Sequence, residues 1–351
     1  MAWERGSLHG ESTVVVRCGG ARLAVAERGA TVLSWAVPGA DGDLVDLADG
    51  YRSAEELVAQ ELAAFAVMAP FSNRIRGARY TFDGVEHDLQ PGVPEDEREI
   101  MHGLVRGVTW EVVDAPTDGA GHREVPDGAA GDTTPRGGPA PGDAEAHVSL
   151  TTSIRPEDHP GYPFAVDLRV TYTLGPRSLA IEIEAVNAGE VTAPVALGWH
   201  PYFQLPGHDD VDGLELKVPA LARVVADDAG IPLEGSAAFE RVEGPVTWTP
   251  IGDAELDDAF VVPVSAGEVR TVLRSPRTGA SIEVFQRPGE AGIMHVYTGD
   301  TLPARQREAV AMEPVALMTD AFNRVECESL VPLKPGGRRR LRARVVFHPG
   351  T

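Results

Sequence analysis

The stretch Ser178-Leu179-Ala180-Ile181-Glu182-Ile183-Glu184-Ala185 alternates strictly between apolar and polar residues. Leu179, Ile181 and Ile183 must lie on one face and Glu182 and Glu184 on the other, because successive side chains of an extended strand point to opposite sides. Such a strand cannot exist alone. It needs partner strands on both edges and a second layer over its apolar face. Most of the chain repeats this style in short pieces. Val14–Val16, Leu23–Val25 and Thr31–Trp35 are separated by Gly19-Gly20 and Gly29, as in a meander. Arg79–Phe82 and Val85–Leu89 flank Asp83-Gly84, a two-residue hairpin signal. Further strands are expected at Val108–Val113, Phe164–Leu174, Leu214–Val218, Val269–Leu273, Ser281–Phe285 and Leu341–Phe347. A helix is expected only at Ser53–Phe65, with Ser53 as its cap and Glu56 three residues on. The fold class is all-β, a large antiparallel sandwich.

Asp114–Ala146 is different: Gly, Pro, Asp, Ala and Thr dominate and little is left to bury. Strands of the same style stand on both sides, so it reads as a flexible insertion within one domain spanning 1–351. Asp41–Asp49 is acidic and Gly-punctuated but misses the calcium-loop spacing, and reads as a plain turn.

The 351 residues, 43% of them hydrophobic, are ample for a sizeable core, and the formal charge is −22. Such a surface repels phosphate backbones and anionic lipid, so no nucleic acid and no membrane partner is expected. Arg338-Arg339-Arg340 reads as a solvated strand flank. Two distant cysteines, Cys18 and Cys327, make neither a disulfide framework nor a thiolate metal site. With no apolar leader in the first residues and no span-length apolar run, the expected location is cytoplasmic. Gly-x-Ser-x-Gly, phosphate-loop and dinucleotide-binding motifs are absent, which counts against serine hydrolases, nucleotide hydrolases and Rossmann oxidoreductases.

Several polar residues stand in settings that suggest chemistry. His200 follows an apolar run within Gly198-Trp199-His200-Pro201-Tyr202-Phe203; it is either a structural histidine under a loop or one wall of an aromatic pocket. His102 precedes Gly103, which permits close approach. Arg74 sits in an Asn-Arg-Ile turn, and Asp257 and Asp258 lie in Leu256–Phe260. Glu313 interrupts the apolar run Val310–Val315. It is either a buried carboxylate of raised pKa or an edge-strand residue facing water, with Pro314 marking the edge.

Taken in order, Asn73-Arg74-Ile75, Met101-His102-Gly103, Gly198–Phe203, Leu256–Phe260, Glu313-Pro314 and Asp320-Ala321-Phe322-Asn323 resemble the aldose 1-epimerase (galactose mutarotase) family, from about Leu23 to Phe347. The resemblance implies a single-domain galactose-mutarotase-like β supersandwich that needs neither metal nor cofactor. It implies an isomerase exchanging the α and β anomers of an aldohexose such as glucose or galactose. Glu313 matches the family's general base and His200 its general acid, while Arg74, His102 and Asp257 match sugar-binding positions. Asp257 is preferred to Asp258 because the family's aspartate stands three residues before the aromatic, here Phe260. The family's substrate-contacting glutamine precedes a Pro-Gly, whereas Gln286-Arg287-Pro288-Gly289 carries an extra residue. Trp199 and Tyr202 are candidates to cover the apolar face of the sugar.

Three other readings remain. A hexose-6-phosphate epimerase of the same fold would need arginine clamps, for which Arg76, Arg79 and Arg106 are candidates. A non-haem iron oxygenase would use His208, Asp210 and His295, with Arg305 ten residues on. A non-catalytic sugar-binding sandwich would keep Arg74 and His102 without needing Glu313.

Overall fold

The computed structural model describes residues 3–113 and 145–351. The insertion read at Asp114–Ala146 therefore lies, up to residue 144, outside the described residues. Almost all regular structure is antiparallel sheet. The first five strands, Trp3–Leu8, Glu11–Cys18, Ala21–Ala26, Val32–Pro38 and Leu44–Asp46, pair in sequence order as a meander. The last falls within the acidic stretch read as a plain turn. It pairs with Ala36–Pro38, and Asp46 accepts from Ser34 Oγ and Trp35 N.

Nine strands form the largest sheet. At its centre lie Arg338–His348, Ser178–Asn187 and Val166–Leu174, each alternating buried and part-exposed residues as period two demands. Its buried face packs against the meander, and Tyr172 Oη donates to the Ala30 carbonyl across the layers at 2.8 Å. On the outer face Arg338 and Arg340 pair with Glu184. Arg339 instead turns inward to the carbonyls of Val195 and Val331.

The eight-stranded sheet carries the candidate site. Along its path run Phe239–Arg241, Ala222–Val224, Asp257–Val261, Ile293–Tyr297, Val310–Val315, Gly198–His200 and Ala66–Met68, with Tyr202–Phe203 also pairing to Val310–Val315. The buried apolar side chains of these sheets form one continuous cluster.

The helix is only Ala54–Ala59. Ser53 Oγ accepts from Glu56 N as its cap, but Glu56 reaches back to Arg52 N and not to Ser53. Gln60, Ala63 and Phe65 all adopt left-handed backbone, which ends the helix early and turns the chain into the Ala66–Met68 strand. The Asp83-Gly84 hairpin forms with both turn residues at positive φ, joining Phe82 to Val85.

Candidate active site

Val310–Val315 is an interior strand, flanked by Ile293–Tyr297 on one side and Gly198–His200 on the other. Pro314 therefore marks no edge, and Glu313 does not face water: it is 3% exposed. The sheet register sets its neighbours. Gly198 pairs with Val315 and Tyr202 with Ala311, so the same register places His200 opposite Glu313. On the other side His295 is the direct cross-strand partner of Glu313. Side chains at matching positions share a face, so three adjacent strands present a row: His200, Glu313, His295. His200 Nε2 lies 3.3 Å from Glu313 Oε1. Asp257, one strand further and opposite Tyr297, lies diagonal to His295 on the same face, with His295 Nε2 2.7 Å from its Oδ1.

Asp257 and Asp258 diverge because neighbours on a strand point oppositely. Asp257 lines the cleft, while Asp258 accepts from Arg223 outside it. The same rule corrects the expectation for Trp199. Being adjacent to His200, it points to the other face, fully buried edge-on against Phe65 and Phe203. The aromatic rings at the cleft are Tyr202, stacked on His200 at 5.0 Å between centroids, and Tyr297.

Two loops close the other side. His102 sits at φ 61°, and the following Gly103 at φ 78°. A Cβ on Gly103 would lie 2.1 Å from the Ala69 carbonyl oxygen, so the close approach expected of this glycine is to backbone. This packing drives the His102 ring edge-on to His200, with centroids 5.0 Å apart. His102 Nδ1 meets Met68 Sδ at 2.9 Å. The Arg74 loop is braced by Asp320, whose Oδ1 accepts from Arg76 N and from Asn323 Nδ2 and whose own N–H bonds the Arg74 carbonyl. Asn323, from the same sequence motif, also bonds the Arg79 carbonyl.

Together Arg74, His102, His200, Asp257, His295 and Glu313 line one cleft of about 180 Å³, with Arg106 at its wall. That is below the ~300–1,000 Å³ of sites for drug-sized ligands and suits a single small polar molecule. Burial acts on Glu313 and on the histidines of the cleft. It pushes Glu313 up to about 7 and His200 down to about 3, each toward its uncharged form. It also holds His102 well below the usual imidazole range. His295 runs the other way: burial opposes its charge, but Glu313 and Asp257 outweigh burial and lift it to about 9. Asp257, 64% exposed at the mouth, is pushed up most by its partial burial, but the His295 hydrogen bond and the charges of His295, Arg74 and His200 together outweigh burial and leave it below its ordinary value.

Gln286 is not in this cleft. It is buried in the nine-stranded sheet, donating to the carbonyls of Ala291 and Ile293. Nor does the chain assemble the iron set. His208 bonds Ser275, whereas His295 bonds Asp257 in the cleft. Among the described residues no group of three or more His, Cys, Asp or Glu is arranged to hold a metal ion.

The family model for aldose 1-epimerase matches residues 12–345. The chain belongs to the aldose 1-epimerase family. It is similar to an uncharacterised protein of Escherichia coli K12, YihR, at 24% identity over 73% of this chain and 71% of that one. It is also similar to rat galactose mutarotase, at 25% identity over 63% of this chain, and to the Escherichia coli aldose 1-epimerase, at 28% over 59%. The chain spans about half the length of these two enzymes, 54% and 51%. Among solved structures, an aldose epimerase homologue from C. elegans superposes with TM-score 0.74 at 20% identity, over 95% of this chain and 97% of that one. A galactose 1-epimerase from Lactobacillus acidophilus gives 0.72 at 16% identity, over 100% and 98%. The fold is therefore the galactose-mutarotase-like all-β fold of this family. No helix among the described residues is long and apolar enough to cross a membrane.

Sequence reasoning missed His295 and Tyr297 as cleft residues. In the sequence His295 stands out only as part of the iron set with His208 and Asp210. The signal that finds it is its registry with Glu313, which requires knowing that Ile293–Tyr297 and Val310–Val315 are paired.

Proposed function

We propose that the protein is an aldose 1-epimerase that interconverts the α and β anomers of an unphosphorylated aldohexose. The observation that carries this reading is a carboxylate and an imidazole, Glu313 and His200, facing one another at 3.3 Å on the floor of a cleft sized for a small polar ligand. Anomer exchange removes a proton from the C1 hydroxyl while one is added to the ring oxygen. The C1–ring oxygen bond breaks to give the aldehyde, C1–C2 rotates, and the hydroxyl re-adds to the opposite carbonyl face. In this reading Glu313 takes the C1 proton and His200 gives the ring-oxygen proton, each transfer contributing ~10²–10⁴-fold. Both groups are restored when the ring recloses, so the cycle consumes nothing. Burial disfavours both charges, and the pair titrates as a unit. Sugar hydroxyls add hydrogen bonds that favour an ionised Glu313 against a protonated His200. Arg74, His102 and Asp257 hold the sugar, and Tyr202 and Tyr297 lie against its apolar face.

A phosphorylated substrate is disfavoured by where the arginines go. Arg76 pairs with Asp227, and Arg79 with Glu95 and Asp88, both outside the cleft. Arg106 is at the wall but donates to the Gln60 carbonyl. A purely sugar-binding role leaves Glu313 without a purpose, since burying a carboxylate is costly.

Polarimetry of freshly dissolved α-D-glucose and α-D-galactose, with a coupled assay for glucose 6-phosphate, tests the reading. The expected result is faster approach to the equilibrium rotation with a free sugar. No acceleration with any aldose removes it, and selective action on the 6-phosphate moves it to the phosphorylated class.

A further inference from the structure

Glu313 has an imidazole on each side, and the two have opposite surroundings. His200 faces the guanidinium groups of Arg74 and Arg106, which line the same cleft, and the His102 ring, held uncharged by burial, lies edge-on to it at 5.0 Å. Its second nitrogen, Nδ1, is buried with no hydrogen-bond partner among the described residues. His295 sits between two carboxylates, Glu313 directly across the strand pair and Asp257 at 2.7 Å. The cleft is also lined by the Glu61 carboxylate and by the phenols of Tyr202 and Tyr297, which stay neutral near pH 7.

We propose that His295, held by Asp257 and opposite Glu313, is a positioning residue whose positive charge keeps the base ionised. This rests on the anomer-exchange reading. A buried carboxylate otherwise keeps its proton, and His200 cannot supply a permanent counter-charge because it must exchange its own proton in each turnover. His295 supplies it from the far side, with Asp257 balancing the dyad so that the cleft gains little net charge. The electrostatics of the cleft agree: His295 is the main group pulling Glu313 down against burial.

The test is His295→Gln, which keeps a polar group of similar size but no charge, read by ¹³C NMR of labelled glutamate carboxyls, with Glu313→Gln assigning the signal. The Glu313 midpoint is expected to rise by about one pH unit or more in His295→Gln. Correspondingly, kcat/KM for the best aldose is expected to fall ~10-fold at pH 6 and to converge on the unaltered protein near pH 9, where Glu313 is ionised in both. A merely structural defect would lower the rate by one factor at every pH. An unmoved midpoint or a pH-independent loss overturns the proposal. If His295→Gln does not fold, ¹⁵N spectra of the histidines in the unaltered protein decide. One buried imidazole still carrying both ring protons at pH 8 supports the proposal, and none overturns it. Should the unaltered protein accelerate no aldose, the functional reading falls alone, because both NMR measurements stand without turnover.

Discussion

His200 and Glu313 occupy the same cross-strand position, bracketed by the pairs Gly198–Val315 and Tyr202–Ala311, and their functional atoms lie 3.3 Å apart. Because this geometry comes from sheet register, the two should act as one unit. Glu313→Gln and His200→Asn are each expected to lower kcat ~10²-fold or more with sugar binding largely kept. The double variant should cost much less than the product of the two. Single-turnover and steady-state kinetics of the three variants check this. Near-normal turnover in Glu313→Gln rules out Glu313 as the base.

The same burial predicts a stability effect of definite sign. Glu313 rises from 4.5 to about 7 on folding, so between those values the folded state binds more protons than the unfolded one. Stability must therefore fall as pH rises across this window. Glu313→Gln removes the penalty, on the order of 3 kcal/mol at most, and should melt higher than the parent at pH 8 while differing little at pH 4.5. Calorimetry at the two pH values is sufficient. An equal shift at both would mean that the carboxyl is not desolvated.

Trp199 and Tyr202 should separate cleanly. Trp199→Ala empties a fully buried site and is expected to destabilise by about 3–5 kcal/mol, while KM of the folded fraction stays near normal. Tyr202→Ala removes a cleft wall and should raise KM several-fold. Denaturant titration with kinetics on both variants distinguishes them. A KM effect from Trp199 would place it at the sugar after all.

Gly103 and Gly84 make a matched pair for backbone freedom. Both have positive φ, but a Cβ on Gly103 meets the Ala69 carbonyl at 2.1 Å whereas one on Gly84 meets open space. Gly84→Ala should cost about 1 kcal/mol and leave KM alone. Gly103→Ala should displace His102, with a larger fall in Tm and a raised KM.

How much of this was legible beforehand divides along physical lines. The Ser178–Asn187 strand and its neighbours announce themselves, because period two is a local property of the chain. The buried state of Glu313 was half legible: the apolar run said inside, Pro314 said edge, and only the flanking strands decide between them. Trp199 was misjudged on residue type, although strand alternation alone forbids it from sharing a face with His200. The helix was overestimated because its cap is local, while the left-handed turns at Gln60, Ala63 and Phe65 serve the entry into the sheet. His295 was beyond reach for a different reason. Its meaning lies in what stands opposite it, and register is fixed by pairing between distant segments.

The row His200–Glu313–His295 draws on strands ending at Tyr297 and Val315, and its Arg74 wall is braced by Asp320 from near the other end of the chain. No amino-terminal fragment that stops short of Asp320 can contain the braced site. On the proposed function, the growing chain is therefore expected to be silent during synthesis until Asp320 has emerged. Such long-range closures are also the slow events of folding, so recovery of activity on refolding should follow the last-formed contacts and lag behind the appearance of sheet.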